Sequence, residues 1–127
     1  MDNAKTNQIL DNEFVDIRIQ KTTGSGAISF EITAPTSGKN WSLQRIEIHF
    51  SKASTKSENL VIAKDDNDNA VYDVKYYNNN ISTSSITDIV YLPEKDITLD
   101  ADDKIVVTYA NTDTAVYGIK AYVKPRY

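Results

Sequence analysis

The sequence predicts an all-β protein, an antiparallel two-sheet β-sandwich of the jelly-roll or immunoglobulin-like type. Apolar and polar residues alternate with period two in several short stretches, most clearly in residues 97–109, where residues 100–103 form an acidic break. These stretches recur at about the 8–12-residue spacing that is typical of sandwich strands. No long segment carries the period of about 3.6 residues that marks an amphipathic helix. The alternation therefore predicts strands with one face on a core and the other in solvent.

Length and composition fit one such domain. The chain has 127 residues, and a β-sandwich needs about 100. We expect residues 1–12 to form a flexible N-terminal arm and residues 13–127 to form a single β-sandwich domain. Hydrophobic residues make up 40% of the chain and charged residues 25%, as in ordinary globular proteins. The chain has no cysteine, so disulfides contribute nothing to its stability.

Charge and hydropathy argue against two classes of partner. The net charge is −4, whereas phosphate binding requires clustered Lys and Arg, so we expect no nucleic-acid partner. No apolar stretch approaches the roughly 20 residues that cross a bilayer, so we expect no membrane partner. Residues 1–8 are polar and lack the apolar region of a signal peptide. This predicts synthesis in a cytoplasm without secretion by that route.

The first two strands are predicted on either side of a glycine-containing turn. Residues 13–20 form the first strand and residues 22–26 the turn, because the two glycines there permit positive φ. The second strand precedes a loop over residues 35–40. The inward residues of the two strands are Val15, Ile17, Ile19, Ile28, Phe30 and Ile32.

The third strand, over residues 41–52, is the longest, and its phase changes along its length. Its apolar residues are Trp41, Leu43, Ile46, Ile48 and Phe50. The first two have odd numbers and the last three have even numbers, so a regular strand would place them on opposite faces. A β-bulge near Gln44-Arg45 would bring all five to the same face.

The rest of the chain continues the pattern. A polar loop is predicted over residues 78–85, a strand with Val90 and Leu92 inward precedes Pro93, and the last strand covers residues 115–123. The other inward residues are Leu60, Ile62, Tyr72, Val74, Tyr76, Ile97, Leu99, Ile105, Val107, Tyr109, Tyr117, Ile119, Ala121 and Val123. The predicted core consists of Ile28, Phe30, Trp41, Ile46, Ile48, Phe50, Leu60, Ile62, Val90, Leu99, Ile105, Val107 and Ile119.

Two acidic stretches resemble cation-binding loops, but a turn explains each of them better. Residues 65–69 (DDNDN) offer oxygen ligands at alternate positions, as a calcium loop does. They fail the EF-hand pattern, because Ala70 stands where glycine is required and Tyr76 where the bidentate glutamate belongs. Asp and Asn also favour turns, since they tolerate left-handed geometry and bond their own backbone. We interpret residues 100–103 as a solvated turn in the same way, and predict no metal site and no cofactor.

The residue types needed for catalysis form no recognisable set. His49 is the only histidine, and it lies on the polar face of an alternating strand. A lone histidine forms no two-histidine metal site and does not by itself indicate a Ser-His-Asp triad. Asp88 and Glu94 could imitate glycosidase carboxylates, but among 18 acidic residues some pair always looks suggestive. We therefore predict no enzyme and no catalytic residues, and place His49 at a surface or an interface.

The eight tyrosines outnumber Phe and Trp together. A tyrosine has an apolar body and a polar tip, which suits sheet edges and protein interfaces. Tyr77, Tyr122 and Tyr127 fall on outward or terminal positions, so together with His49 they are the candidate interface residues. Exposed aromatic platforms that stack on sugars are the competing interpretation.

Several stretches resemble a pattern of strand residues and turns in small structural proteins of tailed bacteriophages. The matching stretches are residues 41–51 (WSLQRIEIHFS), 57–60 (SENL), 72–73 (YD), 87–93 (TDIVYLP), 103–113 (DKIVVTYANTD) and 117–118 (YG). The likeness covers about residues 28–123 and includes no catalytic signature. It implies a β-sandwich virion component, such as a capsid decoration or auxiliary protein or a head or tail accessory, that acts as an oligomer on a shell.

Two functional hypotheses remain. In the first, the protein is a virion component, made in the host cytoplasm, that binds copies of itself and phage capsid or tail proteins. In the second, it is a carbohydrate-binding module of a fibre or a polysaccharide-degrading system. Tyrosines in one cleft beside Asp and Asn would favour sugar, whereas tyrosines over a broad apolar patch would favour an oligomer or a lattice. We expect a homo-oligomer and take a trimer as the working number, although nothing in the residues selects three over two.

Overall fold

The computed structural model describes residues 17–36, 40–66, 71, 73–100 and 102–126. Within these ranges the chain forms nine β-strands and a short 3-10 turn over Ile81–Ser84. The strands are β1 (Arg18–Gly24), β2 (Ile28–Thr33), β3 (Trp41–Phe50), β4 (Asn59–Asp65), β5 (Val74–Asn80), β6 (Asp88–Tyr91), β7 (Thr98–Leu99), β8 (Lys104–Tyr109) and β9 (Tyr117–Pro125).

The strands form two antiparallel sheets that pack against each other. One sheet has the order β1-β9-β3-β6, with β7 also paired to β3, and the other has the order β2-β8-β4-β5. The pairs β1 with β9, β2 with β8, β3 with β6 and β4 with β5 nest inside one another along the chain. Nested pairs of this kind form one long antiparallel hairpin, and successive pairs lie alternately in the two sheets. This is the jelly-roll topology. The predicted all-β sandwich is therefore confirmed, and of its two variants it is the jelly roll.

The core lies between the sheets and consists mainly of branched aliphatic side chains, which suit strands. The rings of Phe50 and Tyr109 meet edge to face there, with centroids 5.5 Å apart. The predicted core residues are buried with two exceptions: Phe30 is partly buried and Val90 is exposed. The buried hydrophobic residues are Ile28, Ile32, Trp41, Leu43, Ile46, Ile48, Phe50, Leu60, Ile62, Ile81, Ile89, Ile97, Leu99, Ile105, Val107, Tyr109, Ala115, Ile119, Ala121 and Val123.

The β-bulge predicted in β3 is present. The register of β3 against β9 shifts between Leu43 and Arg45, so Gln44 is the extra residue. The bulge changes the phase of the strand and allows Trp41 and Leu43 to be buried with the even-numbered apolar residues that follow. β3 therefore contributes an unbroken apolar side to the core.

The first strand differs from the prediction. The N-terminal arm and residues 13–16 lie outside the described residues, and β1 continues to Gly24, through the first part of the predicted turn. Ile19 does not face the core; it is 52% exposed, because it pairs with an outward residue of β9. The inward side of β1 holds Gln20, whose side chain bonds the backbone N–H and C=O of Thr33 in β2. At this open edge of the sandwich, a polar residue joins the two sheets.

The prediction for β5 is wrong in phase. The register of β4 against β5 shifts between Ile62 and Ala63, so Tyr76 is an extra residue in β5. Tyr77 therefore shares the inward side with its partner Ile62, whereas Val74, predicted inward, is 47% exposed. Tyr72 lies outside the described residues.

The segment after β5 also differs from the prediction. Residues 78–80 extend β5 in place of the predicted polar loop, and Ile81 in the following 3-10 turn is buried. In β6 it is Ile89 that is buried, whereas Val90 is 60% exposed and Leu92, just past the strand, is 63% exposed. The prediction that Val90 and Leu92 face the core is therefore wrong, and the opposite face of residues 88–92 is the inward one.

The acidic turn at residues 100–103 is less solvated than predicted. Asp102 is exposed and has a φ of 71°, as turn residues do. Asp103, however, is 7% exposed: its carboxylate accepts a hydrogen bond from the Asp100 amide and pairs with Lys64 Nζ at 3.4 Å. The buried Asp103 side chain therefore stabilises the turn through these two contacts. Residues 67–69 of the other acidic stretch lie outside the described residues.

The loops at the opposite end are tied together by polar side chains. Asn111 Nδ2 donates to the carbonyls of Gly26 and Ala115 at 2.9 and 3.0 Å, and its Oδ1 accepts from the Ala115 amide at 3.2 Å. The Asp113 carboxylate accepts from the backbone and side chain of Thr55 at 2.6 and 2.9 Å. These bonds, the backbone one first, lower the pKa of Asp113.

Candidate functional site

Two surface features of the described chain hold the candidate binding residues. The first is the solvent-facing side of the β1-β9-β3-β6 sheet, which we call the outer face. The second is a cleft between the edge strands β5 and β6, which we call the tyrosine cleft. It is lined by Tyr76, Tyr77, Tyr91, Leu92, Glu94, Lys95, Asp96 and Ile97.

The strand register orders the outer face into three rows of side chains. One row holds Thr23, Gly118, His49 and Asp88; the next holds Lys21, Lys120, Glu47 and Val90; the third holds Ile19, Tyr122 and Arg45. In the middle row the two lysines therefore lie toward β1, and Glu47 lies on the side toward β6. Since Gly118 has no side chain, a groove of about 330 Å³ lies around it.

His49 lies on this face, as predicted for a surface position. Its ring is exposed, and Nδ1 lies 2.5 Å from Asp88 Oδ1 on the neighbouring strand. Because an ionised carboxylate only accepts hydrogen bonds, the ring nitrogen donates. This bond, with a second from the Thr87 hydroxyl at 3.1 Å, holds the pKa of Asp88 below its usual range. The arrangement fixes the orientation of the histidine ring.

Tyr122 lies on the same outer face in a different row. The guanidinium carbon of Arg45 lies 4.0 Å from the centre of its ring, a cation–π contact. Arg45 also approaches Glu47 at 3.5 Å, and Ile19 flanks the tyrosine on the other side. The face thus combines an aromatic residue, an arginine and an exposed aliphatic residue, a combination that is common in protein interfaces.

Tyr77 is not on the outer face. It is half-buried, packs against the core, and meets the ring of Tyr91 edge to face with centroids 6.2 Å apart. Tyr127, the fourth candidate, lies outside the described residues. The structure therefore brings His49 and Tyr122 to one surface and places Tyr77 in the other.

The tyrosine cleft has a volume of about 450 Å³. Tyr76, Tyr77 and Tyr91 are all partly buried and pack against the core, so their rings are held in place. Burial, with Tyr76 and Glu94 nearby, raises the pKa of the Tyr91 phenol. Asp96 accepts a hydrogen bond from the Ser42 hydroxyl and forms an ion pair with Arg126 at 2.9 Å.

The sequence analysis missed this cleft for a specific reason. Strict alternation separates the adjacent Tyr76 and Tyr77 onto opposite faces, and only the bulge turns both toward the cleft. Tyr91 was missed because the sequence predicts that Val90, and therefore not its neighbour Tyr91, faces inward in β6. The pair of adjacent aromatic residues in one strand was the available signal.

No family model matches the sequence, and a search of curated proteins finds no significant relative. Over the described ranges, no group of three or more His, Cys, Asp or Glu residues is placed to hold a metal ion. None of the helical structure in those ranges is long and apolar enough to cross a bilayer.

Proposed function

We propose that this protein is a non-enzymatic structural component of a tailed-bacteriophage virion, a capsid decoration or auxiliary protein that binds the shell as a homo-oligomer. The observation that carries the proposal is the outer face. Ile19 and Val90 are more than half exposed on it, at 52% and 60%, beside the Tyr122 and Arg45 pair. Exposed apolar surface with aromatic and arginine residues is what a protein partner covers.

A second copy of the chain is the occupant that the charges favour. Lys21 and Lys120 lie on the β1 side of the outer face, and Glu47 and Asp88 lie on the β6 side. The basic side of one copy can therefore face the acidic side of another. Such self-complementarity serves a closed homo-oligomer, with a trimer as the working number.

The fold and the resemblance support the same proposal. Jelly rolls recur in viral capsid proteins and in lectin domains. The phage-like stretch over residues 103–113 covers β8 and the loop in which Asn111 and Asp113 tie two loops together. The resemblance thus includes residues that build this fold. Under this proposal the protein is made in the host cytoplasm and acts in the virion.

Light scattering coupled to size-exclusion chromatography tests the proposal. We expect an oligomer at high micromolar concentration, and Val90→Glu, which places a charge on the outer face, should shift it toward the monomer. Ser29→Glu is the matched control, since Ser29 is an exposed residue on an edge strand of the other sheet. Mass spectrometry of the parent virion should find the protein. A strictly monomeric mass, with no binding to capsid or tail preparations, would contradict the proposal.

A further inference from the structure

The tyrosine cleft has the shape of a ligand site. It opens where an edge strand of each sheet, β5 and β6, borders the gap between the sheets, so it is concave. Its volume of about 450 Å³ lies within the range of roughly 300–1,000 Å³ found for small-molecule sites. We propose that this cleft binds a carbohydrate. The proposal does not depend on the virion hypothesis, since a virion protein and a free binding module can both carry such a site.

The aromatic side chains supply a rigid apolar lining. The planes of Tyr77 and Tyr91 stand at 73° to each other, so they form two walls of a corner. Both rings pack against the core, as does Tyr76, and little side-chain freedom is left to lose on binding. A sugar ring has an apolar C–H face that fits against such a wall, with its hydroxyls directed to the polar edge.

The polar groups of the cleft include donors and acceptors. Glu94 and Lys95 are exposed, and neither side chain has a hydrogen bond or ion pair within the described residues. Asp96 is held in place by Ser42 and Arg126. The Tyr91 phenol is protonated at neutral pH, like any tyrosine, and can donate. The combination suits a neutral ligand with many hydroxyls better than a bare cation, because Lys95 opposes a positive charge.

The inference differs from the predicted sugar platform in its residues. That prediction concerned exposed aromatic residues, and Tyr122 is the candidate that lies on the outer face. Tyr122 is already covered by Arg45 at 4.0 Å, whereas the cleft tyrosines face an open concavity. Binding should therefore involve Tyr77 and Tyr91 and leave Tyr122 unaffected.

Amide chemical-shift mapping of the full chain tests the inference. The probes are oligosaccharides that end in glucose, galactose, mannose or N-acetylglucosamine, added to millimolar concentration. At least one should give saturable shifts at residues 76–77 and 91–97. Glu94→Gln should then weaken binding about tenfold, because a neutral amide oxygen accepts a weaker hydrogen bond from a sugar hydroxyl than a carboxylate does. Tyr91→Phe, which keeps the ring, should weaken it less than Tyr91→Ala.

Tyr122→Ala on the outer face is the matched control and should bind the sugar as the wild type does. Glu94 is exposed, so its variant should fold normally, and unchanged amide spectra verify this. No saturable shift with any of the sugars would overturn the inference, as would shifts confined to the outer face. Tighter binding of tetramethylammonium at the same residues would also overturn it, because the cleft would then be an aromatic cage for a cation. None of these results depends on the oligomeric state.

Discussion

Replacement of Asn111 by alanine should destabilise the protein by about 2.5–6.5 kcal/mol. The side chain is 3% exposed and makes three hydrogen bonds of 2.9–3.2 Å to Gly26 and Ala115. Each such bond contributes about 0.5–1.5 kcal/mol net. Asn111 also has a φ of 49°, in the left-handed region, where a side chain such as alanine costs about 1–2 kcal/mol.

Equilibrium unfolding in urea measures this effect, with an unchanged slope showing that the two-state comparison holds. Asn111→Gly should be about 0.5–1 kcal/mol less destabilising than Asn111→Ala, because glycine has no Cβ to strain at positive φ. Asn78→Ala is the matched control: Asn78 is exposed and accepts a single hydrogen bond, from Asn59 at 2.9 Å. Its loss should change the stability by less than about 0.5 kcal/mol.

Two results would refute this account of the loop. If Asn111→Ala unfolds within about 0.5 kcal/mol of the wild type, the side chain does not hold the β1–β2 and β8–β9 loops together. If the glycine variant is no more stable than the alanine variant, the left-handed backbone conformation contributes nothing. The loss in Asn111→Gly measures the hydrogen bonds, and the difference between the alanine and glycine variants measures the dihedral angle, so the two contributions are separable.

Three further predictions concern the core, pH and metal. Ile48→Ala should cost about 2–5 kcal/mol in urea unfolding because Ile48 is buried, whereas Val74→Ala, at an exposed position away from the outer face, should cost less than about 0.5; a loss within error of zero for Ile48→Ala would mean that the face of β3 is reversed. The lowered pKa of Asp113 predicts stability that is present above the unfolded pKa of about 3.9 and lost as the pH falls through the folded value. Asp113→Asn should lack this contribution, so its deficit in unfolding free energy should shrink at acid pH. Since we predict no metal site, melting curves with calcium and with a chelator should coincide. A bound ion at a hundredfold excess over Kd would add about 2.7 kcal/mol to the unfolding free energy and separate the two curves.

The central strands could be predicted from the sequence. β8, β9 and β3 each have a neighbour on both sides, so their inward side chains are buried along the whole strand. Strict period-two alternation is the result, and it identified Ile105, Val107 and Ile119 correctly. Even the bulge at Gln44 was predictable, because burial on both sides of it makes the change of parity visible.

The wrong assignments fall on edge strands. Ile19 lies in β1, Val74 in β5 and Val90 in β6, and within the described part of the chain each of these strands has a sheet neighbour on one side only. An edge strand is partly solvated on both faces, so apolar residues there do not mark the core reliably. Bulges also concentrate at edges, and the extra residue Tyr76 shifts the phase of β5. Period-two alternation therefore does not identify the inward residues of the edge strands.

The same edges form the tyrosine cleft, which explains why the sequence pattern did not identify it. The cleft forms where the strands depart from regular pairing: β5 has a bulge at Tyr76, and β6 contributes the partly exposed Tyr91. Tyr77 and Tyr91 pack against the core and also line the cleft. The positions of the tyrosines therefore do not favour one functional hypothesis over the other. Tyr122 lies on the proposed oligomer surface, and Tyr77 lies in the proposed sugar site. The two surfaces share β6 but use opposite faces of it, Val90 on one and Tyr91 on the other. One protein can therefore carry both, and Val90→Glu and Glu94→Gln should impair them independently.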